Sequence, residues 1–404
     1  MLKHLFVAAT LAAGLAGPAS AACSFQNTVP LKTLSAAFEA WKAVTAAMAE
    51  CGNVQSELDQ EFRRKQPAAF AANPALYQLG GVSNGTIVPL LSAGTIRPLD
   101  DLVAKYGQSL SPNQLIRVDG KIMAIAMSVN SQHLMYRQDI FAELGIPQPK
   151  TYDDVLAAAA KIKASGKVAY AMGATFKPGF DIGLDFVNLF LGFGGTLTKP
   201  DNTPAFNGEA GLKTLNAMKA ISAYLDPEYL VSESTFVQKQ FQQGKIAIAH
   251  LWATRAAAMD DAKESQVVGK IAMVASPAAM AGGKPASTLW WDGFAIAKNI
   301  PDSEAEAAFR VGVAALNENM VKANNGAAVW LIKGFTPARA AEGAIATAMA
   351  GAPPYPSTIT MGIAMTAIGD NAADFLTGKK TAEQTLAAME AAYLVKAREQ
   401  GLVK

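Results

Sequence analysis

The stretch Leu289-Trp290-Trp291-Asp292-Gly293-Phe294-Ala295-Ile296 carries the least ordinary chemistry in this 404-residue chain, with two of its five tryptophans followed at once by an acid. An indole offers a broad apolar face and one N–H donor, and a carboxylate offers two acceptor oxygens. Flat ligands rimmed with hydroxyls are held by that combination. Side chains alternate along a strand, so Trp290 and Asp292 should share one face and Trp291 the other, and at least one indole should line a surface. Two core tryptophans and a surface acid would be the plainer explanation. Trp252 follows a second apolar run, Lys245 to Ala249, and Asn130 lies in the polar break Ser128 to Ser131. Asn84 closes the small, polar run Gly80 to Gly85, which could present backbone to a ligand or form an ordinary turn. Sugar rings, with apolar C–H faces and hydroxyl edges, match Trp252, Trp290 and Trp291 joined by Asn84, Asn130 and Asp292. Each stacked indole would contribute roughly 1–2 kcal/mol. A micromolar site needs about 8 kcal/mol, so hydrogen bonds and closure around the ligand must supply the rest.

Other chemistries find little material. Beyond the leader only His133 and His250 remain, neither in an HExxH pattern, and Cys23 and Cys51 lack CxxC spacing; neither a histidine triad nor a metal site is expected. Gly192-Phe193-Gly194-Gly195 lacks the spacing of a dinucleotide loop, and no cofactor is expected. Thr377-Gly378-Lys379-Lys380-Thr381 resembles the tail of a phosphate loop but reads more simply as a helix stop and the next helix start. Asp100-Asp101, Asp153-Asp154 and Asp260-Asp261 read as helix starts or exposed faces. A pair of carboxylates scattered along the chain could still serve a secreted carbohydrate hydrolase, because sequence does not report their separation.

Lys3 and His4, the apolar run Leu5 to Leu15, and Pro18-Ala19-Ser20-Ala21 form a signal-peptide pattern, so residues 1–21 are expected to be removed on export. No later run is long and apolar enough for a membrane span. In an oxidising compartment Cys23 and Cys51 are expected to pair; a lipid anchor on Cys23 is the rival, disfavoured by Ser20 where such signals carry a Leu-like residue. With 35 Lys plus Arg against 33 Asp plus Glu, and no densely basic stretch, nucleic acid and anionic membranes are not expected partners.

The elements that must position these residues follow from periodicity. Val29 to Leu34, Asn53 to Leu58, Ala75 to Leu79, Lys121 to Met127, His133 to Tyr136, Val168 to Met172, Lys245 to Ala249 and Lys270 to Val274 read as strands, with helices between them. In the first strand-helix-strand unit both strands start at one end of the sheet. That places Cys23 and Cys51 within reach of each other. After Phe309 the chain is nearly all helix, ending with Thr381 to Arg398. This alternation indicates an α/β chain of two lobes, and the polar break after Met127 is a candidate crossing between them.

Asp119-Gly120-Lys121 with its apolar continuation to Ala126, Leu134 to Phe141, Pro149-Lys150-Thr151-Tyr152-Asp153, Gly244-Lys245, Asp292 to Ile296, and Thr377 to Glu383 occur in an order similar to that of ABC-importer solute-binding proteins. The resemblance is to the sugar-binding family that includes maltose-binding protein, and it spans about residue 75 to the C-terminus. It implies a two-lobed periplasmic-binding-protein fold of type II, a hinge of crossing strands and a helix-rich C-terminus. The lobes would be residues 22–129 plus 292–340 and residues 130–291 plus 341–404. It further implies a monomeric, non-catalytic periplasmic protein that passes a mono- or oligosaccharide, or a derivative, to an ABC permease. A polyol, polyamine or anionic solute would suit the same fold. By family pattern Asn130 is a polar contact before the crossing strand, Trp252 a stacking aromatic, and Asp292-Gly293 the return crossing. Before residue 75, Phe38 and Trp41 are the pocket candidates. A late stacking aromatic of the family is replaced near Met365, which departs from a maltodextrin site.

Overall fold

A computed structural model describes residues 23–404, so the expected leader, residues 1–21, lies outside the described residues. The chain forms strands β1 (Leu31–Ser35), β2 (Val54–Leu58), β3 (Leu79–Ser83), β4 (Leu115–Val118), β5 (Lys121–Asn130), β6 (Gln132–Arg137), β7 (Tyr170–Gly173), β8 (Ile246–Trp252), β9 (Ile271–Val274), β10 (Trp290–Ile296) and β11 (Val329–Trp330). Two separate mixed sheets result. One runs β11-β5-β10-β3-β1-β2 with β4 beside β5; the other runs β7-β8-β6-β9. The fold is two-lobed α/β, as expected.

The chain passes from the first sheet to the second between β5 and β6 and returns with β10. The expected four-residue polar break shrinks to Ser131, because Ser128 and Asn130 keep strand pairing with Asp292 and Trp290 of β10. A third passage follows β11. The helices Ile359–Leu376 and Ala382–Glu399 then pack into the second core, which holds Phe176, Phe186, Phe190, Ile368 and Tyr393. The first core holds Leu34, Trp41, Phe70, Phe294 and Phe309. Burying each such side chain contributes about 1.5–3 kcal/mol.

β1 and β2 are parallel and flank the helix Glu39–Ala49, and a disulfide joins Cys23 to Cys51 with Cα atoms 5.1 Å apart. Closing this 28-residue separation is worth roughly 3 kcal/mol in the chain-entropy model. The motif after Thr377 is a helix boundary: Gly378 adopts φ 76°, and the Thr381 hydroxyl accepts from the Gln384 N–H while the Gln384 amide oxygen accepts from Thr381 N–H.

Sequence periodicity missed β4 and β11, both held by pairing with β5, and misplaced the ends of two other strands. Gly80-Gly81-Val82-Ser83, expected as a loop after a strand at 75–79, is the body of β3. The glycines are there for packing. A Cβ on Gly80 would lie 2.6 Å from the Phe70 ring, and one on Gly81 2.5 Å from Ser35 Cβ and 2.7 Å from the Trp41 indole. Likewise β8 continues through His250 to Trp252, because those residues pair with Leu134, His133 and Gln132 of β6. Gly81→Ala should therefore destabilise the protein by about 1–3 kcal/mol through overpacking. Urea denaturation would show it as a lowered midpoint with an unchanged slope.

Candidate ligand-binding site

β10 delivers Trp290 to the seam between the sheets. Its backbone pairs with Asn130 in the first sheet, yet its ring, 5% exposed, belongs to the second core. Trp252 meets it edge-on with ring centres 5.5 Å apart, Phe180 does the same at 5.9 Å, and Tyr355 lies against it at 4.0 Å. The Tyr355 ring arrives by backbone pairing, since Leu289 N–H donates to the Pro353 carbonyl and Tyr355 N–H to the Leu289 carbonyl. Trp290 is therefore the centre of an aromatic cluster rather than an open stacking face. The indoles that keep partial exposure are Trp291, packed on the edge of the first core, and Trp252, on the edge of the second.

Beneath the rings runs a chain of hydrogen bonds. Trp290 Nε1 donates to the Thr288 hydroxyl at 2.9 Å, and that hydroxyl donates to Asn188 Oδ1 at 3.0 Å. Asn188 Nδ2 donates to Gln132 Oε1 at 2.7 Å, Gln132 Nε2 donates to Asp185 at 3.3 Å, and Thr175 donates to the other Asp185 oxygen at 3.0 Å. Burial pushes the Asp185 carboxyl up to about 7 against those bonds. Every member of this chain is buried and supplied with a partner, so it supports the rings.

Asn84 does similar work. Its amide oxygen accepts the Trp291 N–H at 2.8 Å and its amide nitrogen donates to the Tyr355 carbonyl at 3.4 Å. It is 4% exposed and ties β3 to both aromatic segments. Asn130 donates to the Thr254 hydroxyl at 3.4 Å, but its Oδ1 is buried without a partner, as are the hydroxyls of Ser128 and Ser131 beside it. Trp41 is in the first core at 2% exposure, its ring against Gly81, and Phe38 packs on the edge of that core. The structure thus gathers Asn84, Asn130, Trp252, Trp290, Trp291 and Asp292 at one seam and places Trp41 under the sheet.

The charged groups at this seam were the hardest to foresee. Arg63, on the helix Phe62–Ala71, sits with its guanidinium carbon 4.2 Å from the centre of the Phe180 ring and is exposed, though walled by protein. Crowding lowers its pKa, opposed by the negative charge of Asp181 and Asp292. Those two half-buried carboxylates accept no hydrogen bond among the described residues. Burial raises Asp181 to about 6 and Asp292 to about 7, and the nearby Arg63 only partly offsets this. Arg255 is also close enough for its charge to act on Asp181, and it donates to Gln238 Oε1 at 3.3 Å. In sequence Arg63-Arg64-Lys65 has the look of a solvated helix face, and Asp181 that of a helix start; Tyr355 behind Pro353-Pro354 was the one legible signal. Arg63, Phe180, Trp290 and Tyr355 also wall a cavity of about 680 Å³, within the range of small-molecule sites. Among the described residues no group of three or more His, Cys, Asp or Glu could hold a metal ion, and no helix is long and apolar enough to cross a membrane.

The bacterial extracellular solute-binding protein family matches residues 35–315. The chain belongs to that family. A solute-binding protein from Agrobacterium radiobacter K84, in complex with ribitol, superposes with a TM-score of 0.80 at 20% identity, covering 92% of this chain and 100% of that one. One from Agrobacterium vitis S4 with bound D-mannitol gives 0.78 at 20% identity, covering 92% and 99%. The sn-glycerol-3-phosphate-binding periplasmic protein of Agrobacterium fabrum is 29% identical over 126 residues, which is 28% of this chain and 27% of that relative. The matched segment thus spans about a quarter of that protein's length.

Of the two histidines among the described residues, His133 is buried and His250 half-buried, and both are neutral near pH 7: His133 falls to about 4 and His250 to about 3, burial being the main cause in both, with the neighbouring His133 adding to it at His250. Their stabilising effect is lost as pH falls below about 6.5. The acids act in the opposite sense. Asp292, raised from 3.8 to about 7, keeps a proton in the folded state that the unfolded chain gives up, so it destabilises progressively as pH rises from about 4 to 7. Asp292→Asn should raise the stability of the ligand-free protein by ~1–3 kcal/mol at pH 8 and by little at pH 4. Denaturation midpoints at the two pH values check this.

Proposed function

We propose that this solute-binding protein captures a small polyhydroxylated solute, a sugar or polyol, at the seam between the sheets and delivers it to the permease of an ABC importer. The observation that carries the reading is the trio Arg63, Asp181 and Asp292, which has no hydrogen-bond partner among the described residues and stands beside an aromatic wall. Neighbouring hydroxyls of a polyol can donate to the two carboxylates and accept from the guanidinium at once. Asn130, with its unpartnered Oδ1, and the half-exposed Trp291 and Trp252 would complete the site. Ribitol and D-mannitol in the two similar structures are ligands of this chemistry.

The lobes that close on the solute are residues 22–129 plus 292–340 and residues 130–291 plus 341–404. The protein works in the periplasm as a monomer after removal of residues 1–21, and it changes no covalent bond of its ligand. Opposed charges at the seam favour a neutral solute over a phosphate ester, since Asp181 and Asp292 both act on the Arg63 charge that an anion would pair with.

Titration calorimetry against pentitols, hexitols and monosaccharides should find a ligand. Arg63→Ala and Asp292→Asn should each weaken its binding at least about tenfold, the equivalent of 1.4 kcal/mol. Full affinity in both variants would remove the trio from the site, and turnover of a labelled glycan would move the protein among the hydrolases.

A further inference from the structure

The cavity of about 680 Å³ is lined by Arg63 and Trp290, by the helix Ile87–Ser92 and the helix Ile359–Leu376, and by Lys396 and Gln400. Most of its wall is apolar. Val88, Pro89, Ile359, Met361, Ile363 and Met365 supply hydrocarbon walls. The Ser and Thr hydroxyls in the lining are already engaged. Thr86 accepts from Ser83 N–H at 2.8 Å, Ser92 donates to the Val88 carbonyl at 3.0 Å, Thr358 accepts from Met361 N–H at 3.1 Å, and Thr366 donates to the Gly362 carbonyl at 3.2 Å. Gln66 gives its amide N–H to the Gly81 carbonyl at 2.8 Å. Each of these polar atoms is thereby engaged with backbone.

A sugar unit placed here would therefore find few partners for its hydroxyls, and leaving them unpaired away from water is costly. At the seam the situation is reversed, since Asp181, Asp292 and Asn130 Oδ1 are the atoms without partners. The charges in the lining are Arg63 and Lys396, with no acid among them. That balance disfavours a cationic occupant. Ile359, in the lining, is 39% exposed and is the kind of apolar group that a bound chain would cover.

We propose that the ligand is amphiphilic: a polyhydroxylated head at Arg63, Asp181 and Asp292, carrying an uncharged or anionic apolar arm that lies in this cavity. The proposal rests on the solute-binding reading above and narrows it to glycosides or polyol ethers of an apolar alcohol. Methionines suit such a wall because their flexible thioethers adapt to arms of differing shape.

The test uses the mature chain and a calorimetric panel of pentitols, hexitols and monosaccharides, each beside its n-hexyl and 6-aminohexyl derivatives below their aggregation concentrations. Each methylene buried should tighten binding about fourfold, so the hexyl derivative of the best parent should bind at least tenfold more tightly than that parent. The aminohexyl derivative should lose most of this gain, and in Ile359→Asp the hexyl-to-parent ratio should fall toward one. Equal or weaker binding of the hexyl derivative overturns the amphiphile proposal and leaves the solute-binding reading standing. If no member of the panel binds, the reading of the seam fails and the arm fails with it.

Discussion

Trp290 belongs to one sheet by its backbone and to the other core by its ring. Most of what is distinctive at the seam depends on that divided allegiance. The indole cannot be satisfied within the first sheet, because its N–H partner Thr288 and its ring neighbours Phe180 and Trp252 come with the second. Tyr355 closes the cluster from a segment that reaches β10 only after the third crossing. Four separated parts of the chain thus meet on one side chain. The buried hydrogen-bonded chain from Thr288 through Asn188 and Gln132 to Asp185 fixes the orientation of that side chain and leaves no slack in the floor.

Against this saturated floor, the polar atoms left over are conspicuous. Folding takes Asp181 and Asp292 partly out of water without giving either a hydrogen bond, and both carboxyl pKa values rise in consequence. Ser128, Asn130 and Ser131 are left short at the crossing itself. Such groups cost stability in the empty protein, and a ligand that satisfies them recovers it on binding. The two walls of the seam divide the labour: one side holds spare donors and acceptors, whereas the other has its Ser and Thr hydroxyls engaged with its own backbone.

Much of the scaffold was legible in the sequence. The parallel β1 and β2 around a helix, the Cys23–Cys51 bridge, the crossing near Asn130 and the helical C-terminus follow from periodicity, cysteine placement and turn residues. The two misplaced strand ends share a cause. Gly80-Gly81 carries the composition of a turn, but the rings of Phe70 and Trp41 from distant helices demand glycine inside a strand. The stretch His250 to Trp252 looks like a strand's exit, and its pairing with β6 extends it. Local pattern cannot report what packs against a residue from elsewhere.

By itself the sequence determined the two-lobed α/β architecture and marked Trp252, Trp290, Trp291, Asp292, Asn84 and Asn130 as one neighbourhood, because residue type and strand period act over short stretches of chain. Tertiary structure decided the roles inside that neighbourhood. It enclosed Trp290 and engaged both ends of the Asn84 amide, and it brought Arg63, Phe180, Asp181 and Tyr355 to the seam. The physical reason is that exposure, hydrogen-bond satisfaction and desolvation are properties of what surrounds a group. Those surroundings come from segments separated by up to three hundred residues of sequence.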